Sequence, residues 1–452
     1  MRIPASLLLG LLLPGLLVGQ SRRLSLQEAI RIALERNLSI QQADQTLELY
    51  EAQRRQRRAN FLPYVSLDAA SGLNQGRQFD LTTAQLTTQR SERLSASLDV
   101  TLNLFNGGAD WASWQQSERE LAAQQASLAR TRQSVAFSVV QAFLQVLLDE
   151  ELLRIERENL QTQRAQTERI EQLVRSGLRP ASELQNQQAQ LAQQELAVVE
   201  AENRLTLDRA RLFALLRLEP DSAVAFHPPE TSPEALLAEE LDLQTLYEEA
   251  LSLRPDYRQR LLLTEAARWS IRAATAGYLP RLDASFSYGS GYSSLARRFD
   301  PSTQRLERVG FKDQFWRENV YSSFGLRISI PVFDRLNTAT NVTRSRIQYE
   351  NARLELEQLR WSIQSEVQQA LLAYRAAQKR LQATTTQLRA AEMALHMERE
   401  RYETGSGTLL ELTTANANYV RAASQHAQAR YNVLLQRLAL DYYVGRLQAD
   451  LD

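Results

Sequence analysis

The chain of 452 residues contains no cysteine. A disulfide framework and a thiol nucleophile are therefore both excluded, and no cysteine is present to accept an N-terminal lipid. The three histidines, His227, His396 and His426, are scattered, and none has a neighbour at metal-ligand spacing. We expect no bound metal, no cofactor and no enzymatic activity, because no nucleophile–base set is visible either.

An excess of charge of one sign and long apolar runs are also missing. Lys and Arg together number 53, as do Asp and Glu, and this balance disfavours nucleic acid as the main partner. After residue 20 no stretch approaches the roughly 18 uninterrupted apolar residues of a membrane-spanning helix, so membrane insertion would require β-strands. Only 16 Gly and 12 Pro are present, while Gln, Ala, Leu, Arg and Glu dominate, which predicts long helices and coiled coils.

The first 20 residues have the plan of a secretory signal peptide. Met1-Arg2 gives a positive start, Ser6–Val18 is an apolar core, and small or polar residues follow at Gly19-Gln20. This core is shorter than the roughly 20 residues of a membrane-spanning helix. The alternative is a buried helix of a cytosolic protein. We expect cleavage near Gly19 or Gln20 and export of a chain that is not lipidated.

Two internal repeats are visible in the remaining sequence. The matched segments are Leu24–Leu34 with Leu241–Leu251, Phe61-Leu62-Pro63 with Tyr278-Leu279-Pro280, Leu104-Phe105-Asn106 with Val332-Phe333-Asp334, Gly177 with Gly405, and Glu183-Leu184 with Glu411-Leu412. The offset grows from 217 to 228 residues, so the second copy carries an insertion between Pro280 and Phe333. We assign a first repeat to 21–220, a Pro-containing linker to 221–240 and a second repeat to 241–452.

Each repeat is predicted to form a helix, a β-hairpin, a long helix, a turn and a further helix. The hairpins are placed at about 64–105 and 281–333, where polarity alternates with period two. Examples are Val65 and Leu67 against Ser66 and Asp68, and the run Phe324, Leu326, Ile328, Ile330 and Val332 against Gly325, Arg327 and Ser329. Strands of this kind have one apolar and one polar face.

A soluble sandwich is one use for such strands, because antiparallel sheets often bury one face and solvate the other. Each repeat supplies only a two-stranded hairpin, however, which is marginally stable alone. Lipid outside and water inside also explain the pattern, provided that the sheet closes, and the smallest membrane barrels use about eight strands. Several chains must then share one barrel, and three chains of four strands would supply twelve.

The helices are long and carry heptad repeats. Residues 109–176 contain no Pro or Gly, and a helix of this length spans roughly 100 Å. A first helix is predicted over 26–60 and a return helix over 181–217, and both are about half as long. Apolar residues recur every seven positions at Leu184, Leu191, Val198, Leu205 and Leu212, and at Val367, Tyr374, Leu381, Leu388, Leu395 and Tyr402. The heptads alone would also suit a periplasmic coiled-coil scaffold or adaptor without a pore.

In these features the sequence resembles the TolC family of outer-membrane efflux and secretion ducts. The resemblance covers nearly the whole chain after residue 20 and is carried by the ordered repeat, by Arg254-Pro255-Asp256, by Ile330–Asp334 and by the two glycine turns. It implies mixed α and transmembrane β structure, with a homotrimeric twelve-stranded β-barrel continued by a long α-helical coiled-coil periplasmic tunnel.

The resemblance also implies a location, a function and partners. The chain would lie in the cell outer membrane with a periplasmic extension, in contact with outer-membrane lipid. It would form the exit duct of a tripartite efflux pump or a type I secretion system. A periplasmic adaptor protein and an inner-membrane pump would be its partners.

Residues at the two turns match the family's periplasmic gate. Glu411 stands where the family has a gate aspartate, and Thr414 replaces a second aspartate. Tyr402, Ser182 and Glu183 match three partners of a contact that ties neighbouring helices shut, and Gly407 occupies the position of its arginine. The tips that would dock the adaptor are Gly177, Leu178, Gly405 and Ser406. For Glu183 and Glu411, stabilisation of a helix N-terminus is an equally simple interpretation.

Overall fold

The computed structural model describes residues 23–80, 84–219, 224–228, 233, 235–238 and 241–447. The predicted signal peptide, 1–20, and parts of the predicted linker, 221–240, lie outside these residues. The described elements are β1 (Arg23–Leu24), α1 (Leu26–Arg36), α2 (Leu38–Ala59), β2 (Tyr64–Asp80), β3 (Gln85–Asn106), α3 (Ala109–Arg175), α4 (Ala181–Leu216), β4 (Ala225–Phe226), α5 (Leu243–Leu253), α6 (Pro255–Thr275), β5 (Arg281–Ser293), β6 (Arg297–Asp300), β7 (Arg305–Arg308), α7 (Phe311–Asp313), β8 (Tyr321–Ser329), α8 (Asn337–Glu403) and α9 (Leu409–Val444).

Two compact units are formed by alternating parts of the chain. Residues up to 43, 128–255 and 360–452 form one, which we call the helical unit. Residues 44–127 and 256–359 form the other, which we call the sheet unit. In the described part of the chain, no helix is both long enough and apolar enough to cross a membrane.

The sheet unit is built on four antiparallel strands in the order β2-β3-β5-β8. Residues in register across the sheet keep one character on each face, because side chains alternate along a strand. One row is Val65, Val100, Phe286 and Phe324, and the next row, on the opposite face, is Ser66, Asp99, Ser287 and Ser323. The hydroxyl of Ser287 donates to Asp99 at 2.6 Å. The sheet therefore has one apolar and one polar face.

The last strand ends earlier than the alternation predicts. β8 stops at Ser329, so Ile330 and Val332, which the sequence places in the strand, lie beyond it. Pro331 has no backbone N–H to donate to a strand ladder, which explains the end of the pairing. Val332 is 93% exposed. The prediction that the strand continues to Val332 was wrong.

The core of the helical unit joins α1, α3 and α4 through buried aliphatic and aromatic side chains. Phe143 of α3 meets Phe226 of β4 edge to face, with ring centroids 5.6 Å apart. β4 pairs in parallel with β1, and both Leu24 and Phe226 are buried in this core. The small β1–β4 sheet thus fixes the start of the described chain to the segment that follows α4.

The heptad residues lie where helices face each other. Val198, Leu212, Val367, Tyr374 and Leu381 are all buried. Between α3 and α4, polar pairs continue the contact, with Gln187 donating to Gln163 at 2.7 Å and Arg157 to Glu202 at 2.7 Å. The heptad repeat therefore correctly predicts which residues lie between packed helices.

The helix predicted over 26–60 is divided. α1 ends at Arg36 and α2 begins at Leu38, because Asn37 is extended, with ψ of 131°. The Asn37 side chain then accepts a hydrogen bond from the Ser39 N–H at 2.8 Å, as an N-cap does. In the second repeat the corresponding break, between α5 and α6, lies at Arg254, because a residue that precedes proline avoids the helical conformation.

Candidate functional site

The first of the two turns singled out by the sequence closes α3 onto α4. Gly177 has a φ of +74°, a left-handed conformation that favours glycine. Its N–H donates to the Val174 carbonyl at 3.0 Å and the Leu178 N–H to the Leu173 carbonyl at 2.9 Å, so the last carbonyls of α3 are satisfied. The Leu178 side chain projects from the turn and is 71% exposed.

The second turn closes α8 onto α9 in the same way. Gly405 has a φ of +78°, and its N–H donates to the Tyr402 carbonyl. The N–H groups of Ser406 and Gly407 both donate to the Arg401 carbonyl, at 2.9 and 3.0 Å. Both turns therefore have a glycine in the left-handed conformation two residues after the end of a 67-residue helix.

Glu411 closes a capping box at the start of α9. The Glu411 N–H donates to the Thr408 hydroxyl at 3.2 Å, and the Thr408 N–H donates to the Glu411 carboxylate at 2.8 Å. Hydrogen bonds from the Thr408 backbone and hydroxyl, with a smaller effect of Arg401, hold the pKa of the Glu411 carboxyl below its usual value. The carboxylate is thus charged, exposed and fixed in position.

Tyr402, Arg179 and Glu183 meet at the turns. The Arg179 guanidinium carbon lies 5.5 Å from the centroid of the Tyr402 ring, and Arg179 bonds Glu183 at 3.4 Å. Tyr402 is 7% exposed, although it lies one residue before the end of α8. Among the described residues, neither the Tyr402 hydroxyl nor the Glu183 Oε2 atom has a hydrogen-bond partner. Arg179 therefore joins the first turn to the end of α8.

The other predicted gate residues are placed separately. Ser182 is exposed and stands outside the group formed by Tyr402, Arg179 and Glu183. Thr414 is exposed, and its hydroxyl donates to the Leu410 carbonyl at 2.7 Å. A Cβ atom at Gly407 would lie 3.1 Å from the Arg401 Cβ and 3.2 Å from the Tyr402 N, so a side chain there would require a shift of the helix end.

A groove of about 630 Å³ lies between α3, α8 and α9 and reaches Tyr402 and Leu412 at the turns. Asn416 of α9 donates to Asn159 of α3 at 2.9 Å, and Arg169 of α3 lies 3.7 Å from Glu403 of α8. These polar contacts, together with Arg179, connect α3 and the first turn to the α8–α9 pair. Among the described residues no group of three or more acidic or histidine side chains is arranged to hold a metal ion.

Arg179 is the functional candidate that the sequence did not reveal. It follows a glycine turn and lies outside both helices, so no periodicity predicts the direction of its side chain. The only signal is its spacing of four residues before Glu183, which would be an ordinary ion pair on a helix. Its contact with Tyr402 depends on the meeting of two segments more than 200 residues apart.

The chain matches the family model described as "Outer membrane efflux protein" over residues 29–216 and 246–446. One relative, the outer membrane protein TolC of Vibrio cholerae, is 23% identical over 392 residues, which cover 86% of this chain and 83% of the relative. Another is the pyoverdine export outer membrane protein OpmQ of Pseudomonas putida, 27% identical over 80% of this chain and 73% of its own length.

Solved structures share the fold. The structure of the outer membrane protein VceC from Vibrio cholerae superposes with a TM-score of 0.78 at 19% identity, covering 93% of this chain and 96% of that one. The CusC structure gives a TM-score of 0.79 at 17% identity, covering 93% of this chain and 92% of that one. The chain therefore belongs to the outer membrane efflux protein family, as an outer-membrane channel of the TolC kind that serves an export system.

Proposed function

We propose that this channel is a passive homotrimeric duct in which each copy contributes its four strands to one closed twelve-stranded barrel. The observation that carries the proposal is the single-chain sheet, with its exposed apolar face and its two outer strands. Phe324 and Ile328 on this face are 72% and 69% exposed. A sheet face with such exposed apolar side chains requires a covering, and membrane lipid supplies one.

The edges of the sheet point to closure by neighbouring copies. β2 and β8 lie at opposite ends of the strand order, and among the described residues each pairs on one side only. An unpaired edge in a bilayer leaves backbone groups without hydrogen bonds, which costs several kcal/mol for each group. Pairing of β2 of one copy with β8 of the next removes both edges. The predicted repeats, 21–220 and 241–452, would each contribute one hairpin.

Disulfide trapping tests this assembly, because the chain has no cysteine of its own. Ser66→Cys on β2, combined in turn with single cysteines along β8, should give covalent dimers and trimers in one register. The control is Thr101→Cys with Ser285→Cys, which are paired within one chain and should link only internally. The shared barrel would be excluded if no cysteine pair gave a cross-linked dimer or trimer, or if the complex in detergent had the mass of only one or two chains.

We also propose that the two turns are the periplasmic end of the duct and the docking site of an adaptor protein that connects it to an inner-membrane pump. Support comes from the exposure of Leu178 and Leu410, at 71% and 75%, beside turns that carry polar and glycine residues. Small residues at Gly177, Gly405 and Ser406 leave room for an approaching helical hairpin. A scaffold without a pore would give no reason for the apolar sheet face.

The gate of this duct, as we propose it, is a ring of Glu411 carboxylates, one from each copy. The capping box fixes the carboxylate and leaves it exposed, so capping and gating use the same geometry. Thr414 adds no second acidic layer. Arg179 takes the place of the absent arginine at 407 and, with Tyr402 and Glu183, holds the turns together in the closed state.

Glu411→Gln should reduce cation selectivity in planar bilayers and weaken block by trivalent cations from the periplasmic side. Three carboxylates held close in a constriction favour cations, and they bind multivalent ions jointly. Within one chain the Thr408 hydrogen bonds lower the pKa of Glu411, whereas the like charges of the ring would raise it, so the pH at which the block disappears reports how closely the three carboxylates approach one another.

Glu398→Gln is the matched control, because Glu398 is paired with Arg401 three residues away on the same helix. This variant should conduct as the wild type does. If Glu411→Gln instead lowers thermal stability and leaves selectivity unchanged, Glu411 serves only as a helix cap.

A further inference from the structure

The insertion in the second repeat forms an ordered structure between β5 and β8 that the duct itself does not explain. β6 and β7 pair as a short hairpin, and the segment 311–318 folds back beside them. β5 begins next to the helical segment at 276–278 and ends at Ser293. The hairpin therefore lies at the end of the strands that is farther from this helical segment.

A buried glutamine anchors this insertion to the sheet. Gln314 is 1% exposed, and its amide donates to the carbonyls of Ser293 at 3.0 Å and Val309 at 2.7 Å. It also accepts from the Ser293 N–H at 3.0 Å. Asn319 donates to the Gly291 carbonyl at 2.6 Å. These bonds fix both ends of the insertion to β5, so the hairpin presents its side chains in a defined orientation.

The two faces of the hairpin differ in chemistry. Arg297 is directly opposite Arg308, and Phe299 is directly opposite Leu306, so these four side chains share one face. Phe299 is 56% exposed and Leu306 44% exposed. We call this the Arg–Phe face. The other face carries Arg298, Asp300, Arg305 and Glu307, which balance in charge.

Two cations lie opposite each other on the Arg–Phe face without a counter-charge. Like charges directly across a strand pair are unfavourable, and no ion pair of Arg297 or Arg308 occurs among the described residues. On the opposite face, by contrast, Arg298 bonds Glu318 of the neighbouring segment at 2.6 Å. The Arg–Phe face is thus exposed, partly apolar and uncompensated in charge, a combination that suits an amphipathic anionic ligand.

We propose that the Arg–Phe face binds a phosphorylated, acylated glycolipid of the outer membrane surface. A phosphate group that bridges the two guanidinium groups would replace their repulsion by two charge-assisted hydrogen-bonding contacts. Phe299 and Leu306 would lie against the adjoining acyl or glycan surface. The inference rests on the proposed barrel, because that barrel places the end of β5 at the outer edge of the membrane.

Purified full-length trimer titrated with diphosphoryl lipid A in mild detergent tests the proposal. Binding is measured by native mass spectrometry, with monophosphoryl lipid A and phosphatidylcholine as comparison lipids and inorganic phosphate as competitor. Wild type should bind both forms of lipid A more tightly than phosphatidylcholine, because one phosphate suffices to bridge the two guanidinium groups, and inorganic phosphate should compete weakly because it lacks the apolar part. Arg297→Gln combined with Arg308→Gln should reduce diphosphoryl lipid binding about tenfold or more, because both phosphate contacts are removed.

The matched control is Arg298→Gln combined with Arg305→Gln, which removes the same charge from the opposite face of the same hairpin. It should retain binding within about threefold of wild type, since only general attraction is lost. Equal losses in both variants would overturn the proposal, as would equal binding of all three lipids by an intact trimer. Loss of the trimer in the first variant alone would show that the face binds a second copy instead. If the wild-type chain forms no trimer in the same preparation, the proposed duct is contradicted. The lipid site is tested separately, by the comparison of the lipids and of the two double variants.

Discussion

Arg179→Met should increase the time-averaged conductance of the channel in planar bilayers by about one to two orders of magnitude, because the proposed closed state loses its contact between the two turns. Arg179 is the residue that joins the Tyr402 ring to Glu183. Methionine retains much of the apolar length of the side chain and removes the charge. Single-channel recordings at low applied voltage measure the effect directly.

The size of this effect follows from three copies acting together. A partly exposed cation–π contact and a partly exposed ion pair contribute about 1 kcal/mol together in each chain. If the three gates of a trimer open in concert, the closed state loses about 3 kcal/mol, which corresponds to roughly a hundredfold change in the closed-to-open ratio. A gate whose copies open independently would show a smaller change and intermediate conductance levels.

Arg175→Met is the control for charge at the same turn. Arg175 is 77% exposed in its side chain and pairs with Glu171 on its own helix, at 2.6 Å. Its removal changes the local charge by the same amount and breaks no contact between the turns. Equal conductance of the two variants would mean that Arg179 acts through the electrostatic field of the turn, and the proposed link to Tyr402 would be wrong.

The helices and their turns were readable from sequence because each depends on local rules. A run without Gly or Pro predicts one long helix over 109–176, and α3 occupies Ala109–Arg175. Gly177 and Gly405 indicate turns because a positive φ is accessible to glycine, and both have that conformation. Stabilisation of a helix N-terminus, one of the two interpretations of Glu411 from sequence, is present in the structure as a capping box with Thr408.

Features that depend on distant contacts were not readable. The break at Asn37 is local and was missed for another reason: the helical pattern continues on both sides of it, and only the Asn37 side chain that caps the next helix marks it. The fold of the insertion depends on Gln314, whose three bonds reach Ser293 and Val309 and leave no periodic signature. Tyr402 was identified through the family resemblance, but its partner Arg179 is evident only where the two turns meet in the fold.

Gly177→Val and Gly405→Val should each reduce export to roughly a tenth of wild type or less, while the proposed trimer and its membrane insertion persist. A Cβ atom at either position would meet nothing within 4 Å, so the cost comes from the backbone and not from a clash. At φ of +74° and +78°, a β-branched residue is strained by about 1–2 kcal/mol or more, and the turn adopts another conformation instead. Efflux of a fluorescent substrate from cells, with trimer levels measured in parallel, gives the result.

Two further variants separate the shape of the turn from general instability. Gly177→Asn should keep most of the export, because asparagine tolerates the left-handed conformation that valine does not. Gly108→Val imposes the same kind of strain, with a φ of +83° and open space around its Cβ, at the junction of β3 and α3. It should lower thermal stability and leave export per trimer near wild type. If Gly108→Val and Gly177→Val reduce export per trimer equally, strain anywhere in the chain suffices and the turns are not the docking surface. If Gly177→Asn loses as much export as Gly177→Val, the backbone conformation is not what the proposed adaptor recognises, because asparagine preserves it.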